Sequence, residues 1–282
     1  MSRFIHFTTL MLLFGASFFL VLFVQEDFRK KLAAQMQLLL ICSVLISFIS
    51  AIMLFAFEAG LMGNGWSDVT NIPTWMLVFG THFGTVWQWE LGFAFLSCLA
   101  LCLRNNRNSV LLIMASAQLM GLGFIGHAAT HQGWLGGLQH ANAAIHLLSA
   151  AYWFGCLIPL FLCSRLFYET EQSHDARFAM KQFSQYGHLV VCLVIITGII
   201  NGLLIIPTPY HWGALYLKLL TVKIFFVLGM LLIALYNRYI LVPKIARGSA
   251  PSRKKFIYLI WVEWFLSLVV LLLVSLFATL AP

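Results

Sequence analysis

The chain has 282 residues, of which 61% are hydrophobic and 9% charged, with a mean hydropathy of +0.92, far more apolar than a water-soluble fold of this length needs to bury a core. The net charge of +8 sits in loops without interleaved aromatics, which excludes a nucleic-acid footprint and leaves anionic lipid as the partner of that charge. The solvent implied is a lipid bilayer.

About 20 uncharged residues cross the roughly 30 Å hydrocarbon core as a helix, and about eight such runs occur: 3–24, 32–57, 84–103, 109–128, 140–167, 183–206, 215–241 and 256–280. The fold expected is therefore an all-α integral membrane protein, a polytopic bundle forming a single transmembrane domain over 1–282. The first run has no basic leader and no small-residue cleavage site, so it reads as the first helix of the mature protein. Six cysteines lie within spans in no paired motif, and give neither a disulfide framework nor a zinc ribbon.

Basic residues occupy alternate loops. Arg29, Lys30 and Lys31 follow the first run, Arg104 and Arg107 the third, Arg165, Arg177 and Lys181 surround the fifth connection, and Lys244, Arg247, Arg253, Lys254 and Lys255 precede the last run. The connections at 58–83, 129–139 and 207–214 carry no lysine or arginine. The positive-inside rule makes the first set cytoplasmic and puts both termini outside, an N-out, C-out topology.

Of nine histidines, His6, His82, His127, His131, His140, His146 and His211 fall in the outer half, and only His174 and His188 at the inner side. Polar groups in hydrocarbon are costly and mark pathways or ligands, so this one-sided distribution is the main functional signal. At 1.5 Å per residue, Glu90 and His146 lie about 9 Å below the outer surface and Lys223 about 12 Å, with Asn142 one turn from His146. Met53, Met62, Met76 and Met120 also lie in the outer half, and the connection from Glu58 to His82 adds Trp66 and Asp68. Imidazole, thioether and carboxylate together suit a copper ion, as Cu(I) or Cu(II), with nickel or zinc as alternatives.

Plainer roles stand beside these. An intramembrane histidine can serve as a helix–helix hydrogen bonder, His211 as an interfacial residue beside Trp212, and Lys223 as a structural counter-charge to Glu90. Glu263 in the last run is read either as a proton-coupling acid or as a hydrogen-bond acceptor to a neighbouring helix. Cys98 with Cys102, and Cys156 with Cys163, are either a soft-ion relay or small apolar packing. No Walker loop, catalytic triad or paired catalytic carboxylates occur, so neither ATP-driven pumping nor enzymatic activity is expected.

Several stretches in order carry a resemblance: Phe-Ile-His-Phe-Thr from Phe4 to Thr8, Thr81 to Gly84 followed by Trp87, Gly126-His-Ala, Asn142 to His146, Trp153-Phe-Gly, Pro159-Leu, Phe183-Ser with Gly187-His, Leu217-Lys leading to Asn237-Arg-Tyr and Pro243, Glu263, and the closing Ala-Thr-Leu-Ala-Pro. In these the chain resembles the CopD family of bacterial copper resistance proteins, nearly end to end. The resemblance implies an inner (plasma) membrane protein of copper homeostasis, resistance or uptake that receives copper from a periplasmic CopC-like carrier, with the outer side as periplasm. Carried over by position, it implies His6, His127 and His146 as ligands, Asn142 as their partner, and Glu263 as a shared intramembrane acid. Glu58, His82, Glu90 and His131 stand where relatives carry other polar residues, and Cys156 replaces a usual glycine.

The leading expectation is thus a protein that accepts copper at an outer cluster of His6, His82, His127, His131, His140, His146 and Met62, supported by Glu58, Glu90, Asn142, Lys223 and Glu263, and passes it toward the cytoplasm. A b-type haem or quinone-linked redox protein is the alternative from another class, since facing histidines in a helical bundle can ligate haem. A copper-binding scaffold that does not transport is the third.

Overall fold

The computed structural model of the chain describes residues 1–126, 133–169, 173–205 and 215–277, and these are helical almost throughout. In chain order the helices are α1 (Ser2–Leu22), α2 (Glu26–Gln35), α3 (Gln37–Met62), α4 (Ile72–Phe79), α5 (His82–Ala100), α6 (Arg107–Gly121), α7 (Gly133–Gly155), α8 (Leu157–Glu169), α9 (Ser173–Ile205), α10 (Leu215–Tyr236), α11 (Val242–Ala246) and α12 (Ala250–Phe277). By length and composition, six segments can cross a membrane: α1, α3, 133–167 across α7 and α8, α9, 215–245 across α10 and α11, and α12. Helices α5 and α6 also fall on expected runs but are not among those six.

The departures from the expected runs have local causes. The run at 140–167 divides after Gly155 because Pro159 has no N–H to give the Gly155 carbonyl and its ring crowds that oxygen. Likewise a single π turn, Asn237–Leu241, separates α10 from α11 just ahead of Pro243. The basic stretch after α1 forms its own helix α2, with Glu26 and Asp27 in the first turn against the helix dipole and with Phe28 and Leu32 fully buried. The long connection after α3 contains α4, seated by Phe79 stacked on Phe55 at 4.2 Å between ring centroids.

Side-chain contacts show which ends of the helices meet. Arg3 pairs with Glu58, joining the start of α1 to the end of α3; His140 approaches the Gly123 carbonyl at 3.0 Å, joining the start of α7 to the turn after α6. At the opposite end Arg238 donates to Ser184, and Lys255 donates to Tyr236 at 2.9 Å, joining the first half of α9 and the start of α12 to the end of α10. The bundle is therefore antiparallel, with a histidine end and a basic end. Helix α1 is its axis: buried along most of its length, it packs on α3, α6, α7 and α12, whereas α9 and α10 turn most of their surface outward. Glycine meets glycine where α1 crosses α7 at Gly15 and Gly155, and the Cys156 thiol donates to the Gly15 carbonyl at 3.3 Å.

Candidate functional site

Two polar nests lie at the histidine end. The first joins α1, α3 and α5. His6 and Glu90 are 0% and 2% exposed, and His6 Nε2 lies 3.2 Å from Glu90 Oε1. On the other side of the ring, Nδ1 lies 3.3 Å from the Ser47 carbonyl and 3.1 Å from Ser50 Oγ. The Ser47 carbonyl can only accept, and Ser50 gives its own hydrogen to that same carbonyl at 3.0 Å, so Nδ1 carries the proton and donates. Nε2 is left as the nitrogen that faces Glu90. Trp87 closes this nest, its ring 6.0 Å from His6 and its Nε1 donating to the Ala51 carbonyl at 2.9 Å.

Glu90 has a second feature. Its Oε2 is buried with no hydrogen-bond partner among the described residues, and it points at α6, where a Cβ on Gly121 would stand 3.5 Å away. A buried acceptor in that condition costs about 1–3 kcal/mol, more for a charged group, so it marks a place where a donor or a cation would be stabilised. Above the nest, Arg3 engages the partly buried Glu58.

The second nest joins α7 to α9. Asn142 donates from Nδ2 to the Thr197 carbonyl at 3.0 Å and to Asn201 Oδ1 at 2.9 Å. His146 Nδ1 lies 2.9 Å from Thr197 Oγ1, whose own hydrogen goes to the Leu193 carbonyl at 2.5 Å, so here too Nδ1 is the donor. His140 repeats the arrangement with the Gly123 carbonyl, its ring stacked on Phe124 at 4.8 Å. In all three imidazoles Nδ1 is the donor held by oxygen, which leaves Nε2 as the nitrogen that a metal would take; in His6 that nitrogen is hydrogen-bonded to Glu90, and a metal would replace the hydrogen between them.

The remaining expected residues are placed as follows. Lys223 on α10 is half-buried and within electrostatic range of His146. His82 is exposed at the start of α5, which Thr81 caps by accepting from the Gly84 N–H at 3.0 Å. Met62 is exposed at the end of α3, as are Met53, Met76 and Met120 elsewhere at this end. Glu263 lies far from this end on α12, buried, and accepts from Trp153 Nε1 at 2.5 Å. That hydrogen bond joins α12 to α7. His127, His131 and His211 lie outside the described residues.

Thus His6 is brought to Glu90, and His146 to Asn142 through Thr197, between different helices. Among the described residues no three of His, Cys, Asp and Glu gather around one point. Sequence reasoning did not single out Ser47, Ser50, Thr197 or Asn201. A signal existed: Ser43, Ser47 and Ser50 form a stripe on α3, all buried, and Thr197 and Asn201 share the one-turn spacing of Asn142 and His146.

Asp68, in the connection between α3 and α4, has a structural part. It accepts from the Asn64 N–H at 2.7 Å and the Asn71 amide at 3.1 Å, and these donors hold its carboxyl below the ordinary value of 3.8. Gly63 faces that carboxylate so closely that no Cβ would fit, and Gly65 turns the chain at φ +89°.

Compared with known families, residues 1–137 match the copper resistance protein D-like N-terminal domain and residues 177–277 match copper resistance protein D. Across 285 residues the chain is 36% identical to the inner membrane protein YebZ of Escherichia coli (strain K12), covering 99% of this chain and 97% of that protein. It is 26% identical over 296 residues to copper resistance protein D of Pseudomonas syringae pv. tomato, covering 99% and 95%. No solved structure matches.

Proposed function

The chain belongs to the copper resistance protein D family, and from that premise we propose that it is a multi-pass inner-membrane protein that takes up copper at its histidine end and passes it toward the cytoplasm. Family membership supports a role in copper resistance or uptake. The observation that carries the finer reading is the His6–Glu90 pair: a fully buried imidazole, fixed through Nδ1, presents Nε2 to a carboxylate whose other oxygen has no partner among the described residues. Copper held there would be ligated by imidazole and neutralised by carboxylate, as its chemistry asks.

In this reading the basic end is cytoplasmic and the histidine end periplasmic, with both termini outside. Helices α5 and α6 complete eight crossings; α5 spans about 28 Å at 1.5 Å per residue, and both pack within the bundle against α1 or α3. The two matched segments act as one domain, since α1 packs on α6 and α12 alike. His127, a ligand that the family resemblance implies, directly follows in sequence Gly126, which at φ +69° ends the turn after α6. His82, Met62, Met76 and Trp66, exposed at the same end, form the face at which a CopC-like carrier delivers copper. The protein is a carrier and not an enzyme.

Metal analysis and an absorption spectrum of one purified sample test this, followed by copper uptake into proteoliposomes. Stoichiometric copper and inward transfer are expected. A haem Soret band of stoichiometric intensity would overturn the reading in favour of redox function, and copper binding without transfer would reduce the protein to a scaffold. Reporter fusions after Asn106 and after Asn64 should report cytoplasm and periplasm respectively; the reverse pattern would overturn the orientation.

A further inference from the structure

Below the histidine end the bundle holds a second polar level. Glu263 on α12 is 4% exposed, and Trp153 Nε1 donates to its Oε1 at 2.5 Å. Its other oxygen makes no hydrogen bond and no lysine, arginine or histidine pairs with it among the described residues. One turn along α12, Ser267 Oγ lies 2.8 Å from the Glu263 carbonyl and 3.8 Å from the Met230 sulfur on α10. Met230 is 6% exposed and packs with Trp153 and Val194 in a small cluster of its own. Three helices thus bring a carboxylate, a thioether and an indole N–H to within about one helical turn of one another. That level lies about 10 Å beyond His146 along α7 and about 12 Å from Lys255 along α12, at 1.5 Å per residue.

Each group has a plain packing role, but together they match one ligand class. A carboxylate deep in hydrocarbon without a cation is expensive, and polar intramembrane groups that persist there mark ion pathways. A thioether binds soft ions, Cu(I) above the hard divalent cations, and carries no charge to balance one. The carboxylate supplies that charge, and Trp153 fixes its orientation by holding one oxygen. Resting on the reading that copper is the cargo, we propose that Met230 and Glu263 form a second Cu(I)-binding station, between the histidine end and the basic end. It supplies the inward step for which the histidine distribution offers nothing.

The test uses the full-length protein in nanodiscs, labelled with 13C at the methionine methyl groups and titrated with Cu(I) under reducing conditions, with bound copper counted by chelator competition. The Met230 signal, identified by its loss in Met230→Leu, should shift on copper binding. Glu263→Gln keeps an oxygen for Trp153 but removes the charge; losing a direct ligand costs at least as much as losing an outer partner, so the affinity read from that shift should fall about tenfold or more. Both variants preserve packing volume, and a thermal unfolding midpoint like that of the parent verifies the fold. Copper bound with an unmoved Met230 signal overturns the station and leaves the uptake reading standing. No copper bound to the parent chain at all overturns both.

Discussion

Gly15 on α1 and Gly155 on α7 meet backbone to backbone: a Cβ on either would overlap the main chain of the other helix. Close approach of small residues is the means by which helices in lipid gain dispersion contact, since lipid offers no hydrophobic drive to bring them together. Gly15→Ala or Gly155→Ala should therefore force α1 and α7 apart at a cost of about 1–3 kcal/mol. Gly92→Ala and Gly229→Ala, where no atom lies within 4 Å of the added Cβ, should be neutral or stabilise by about 0.5–1 kcal/mol. Thermal unfolding in detergent of the four variants checks this; equal midpoints would remove the crossing from the account of stability.

The buried His6–Glu90 pair predicts non-additivity. Removing one member leaves the other buried and unpaired, which costs about 3–5 kcal/mol, whereas replacing both with apolar residues of similar size is often neutral. His6→Leu and Glu90→Leu should each lower the unfolding midpoint, and the double variant should recover it without recovering copper binding. A double variant as unstable as the two losses combined would show that the pair is not coupled.

Thr197 holds the His146 ring through Nδ1. Thr197→Val removes that acceptor, so the tautomer with a free Nε2 lone pair is no longer favoured and copper affinity, if His146 is a ligand, should fall about 10–100-fold. Nitrogen chemical shifts of a histidine-labelled sample report the tautomer directly. A change of tautomer with unchanged copper affinity would assign His146 to helix packing alone.

Asp68 predicts an acid-sensitive connection. Its carboxyl is held below 3.8 by donors present in the folded loop, so its stabilising contribution is present above 3.8 and is lost as the pH falls through the lower folded value. Asp68→Ala should speed chymotrypsin cleavage at the exposed Trp66 at neutral pH. In the parent chain, cleavage by pepsin in this segment should accelerate only at pH values below 3.8; acceleration well above that would point to another group.

The histidine-rich and basic ends, the membrane class and most helical runs were legible in the sequence because lipid imposes them on composition: length and apolarity mark a span, and charge marks a loop, before any packing is considered. Breaks such as those near Pro159 and Pro243 follow from residues that the sequence names, though where the helix restarts does not. Which polar groups meet was decided by the tertiary structure alone. Rise along a helix places Glu90 and His146 at one depth, but depth says nothing of azimuth, and rotation of the packed helices turns His6 to Glu90 and His146 to Thr197, between different helices. The same rotation carries Met230, unremarkable as one of ten methionines in an apolar chain, to Ser267, one turn from Glu263. Hydrophobicity is written residue by residue, whereas convergence belongs to pairs of helices and exists only once α1 and α7 have packed.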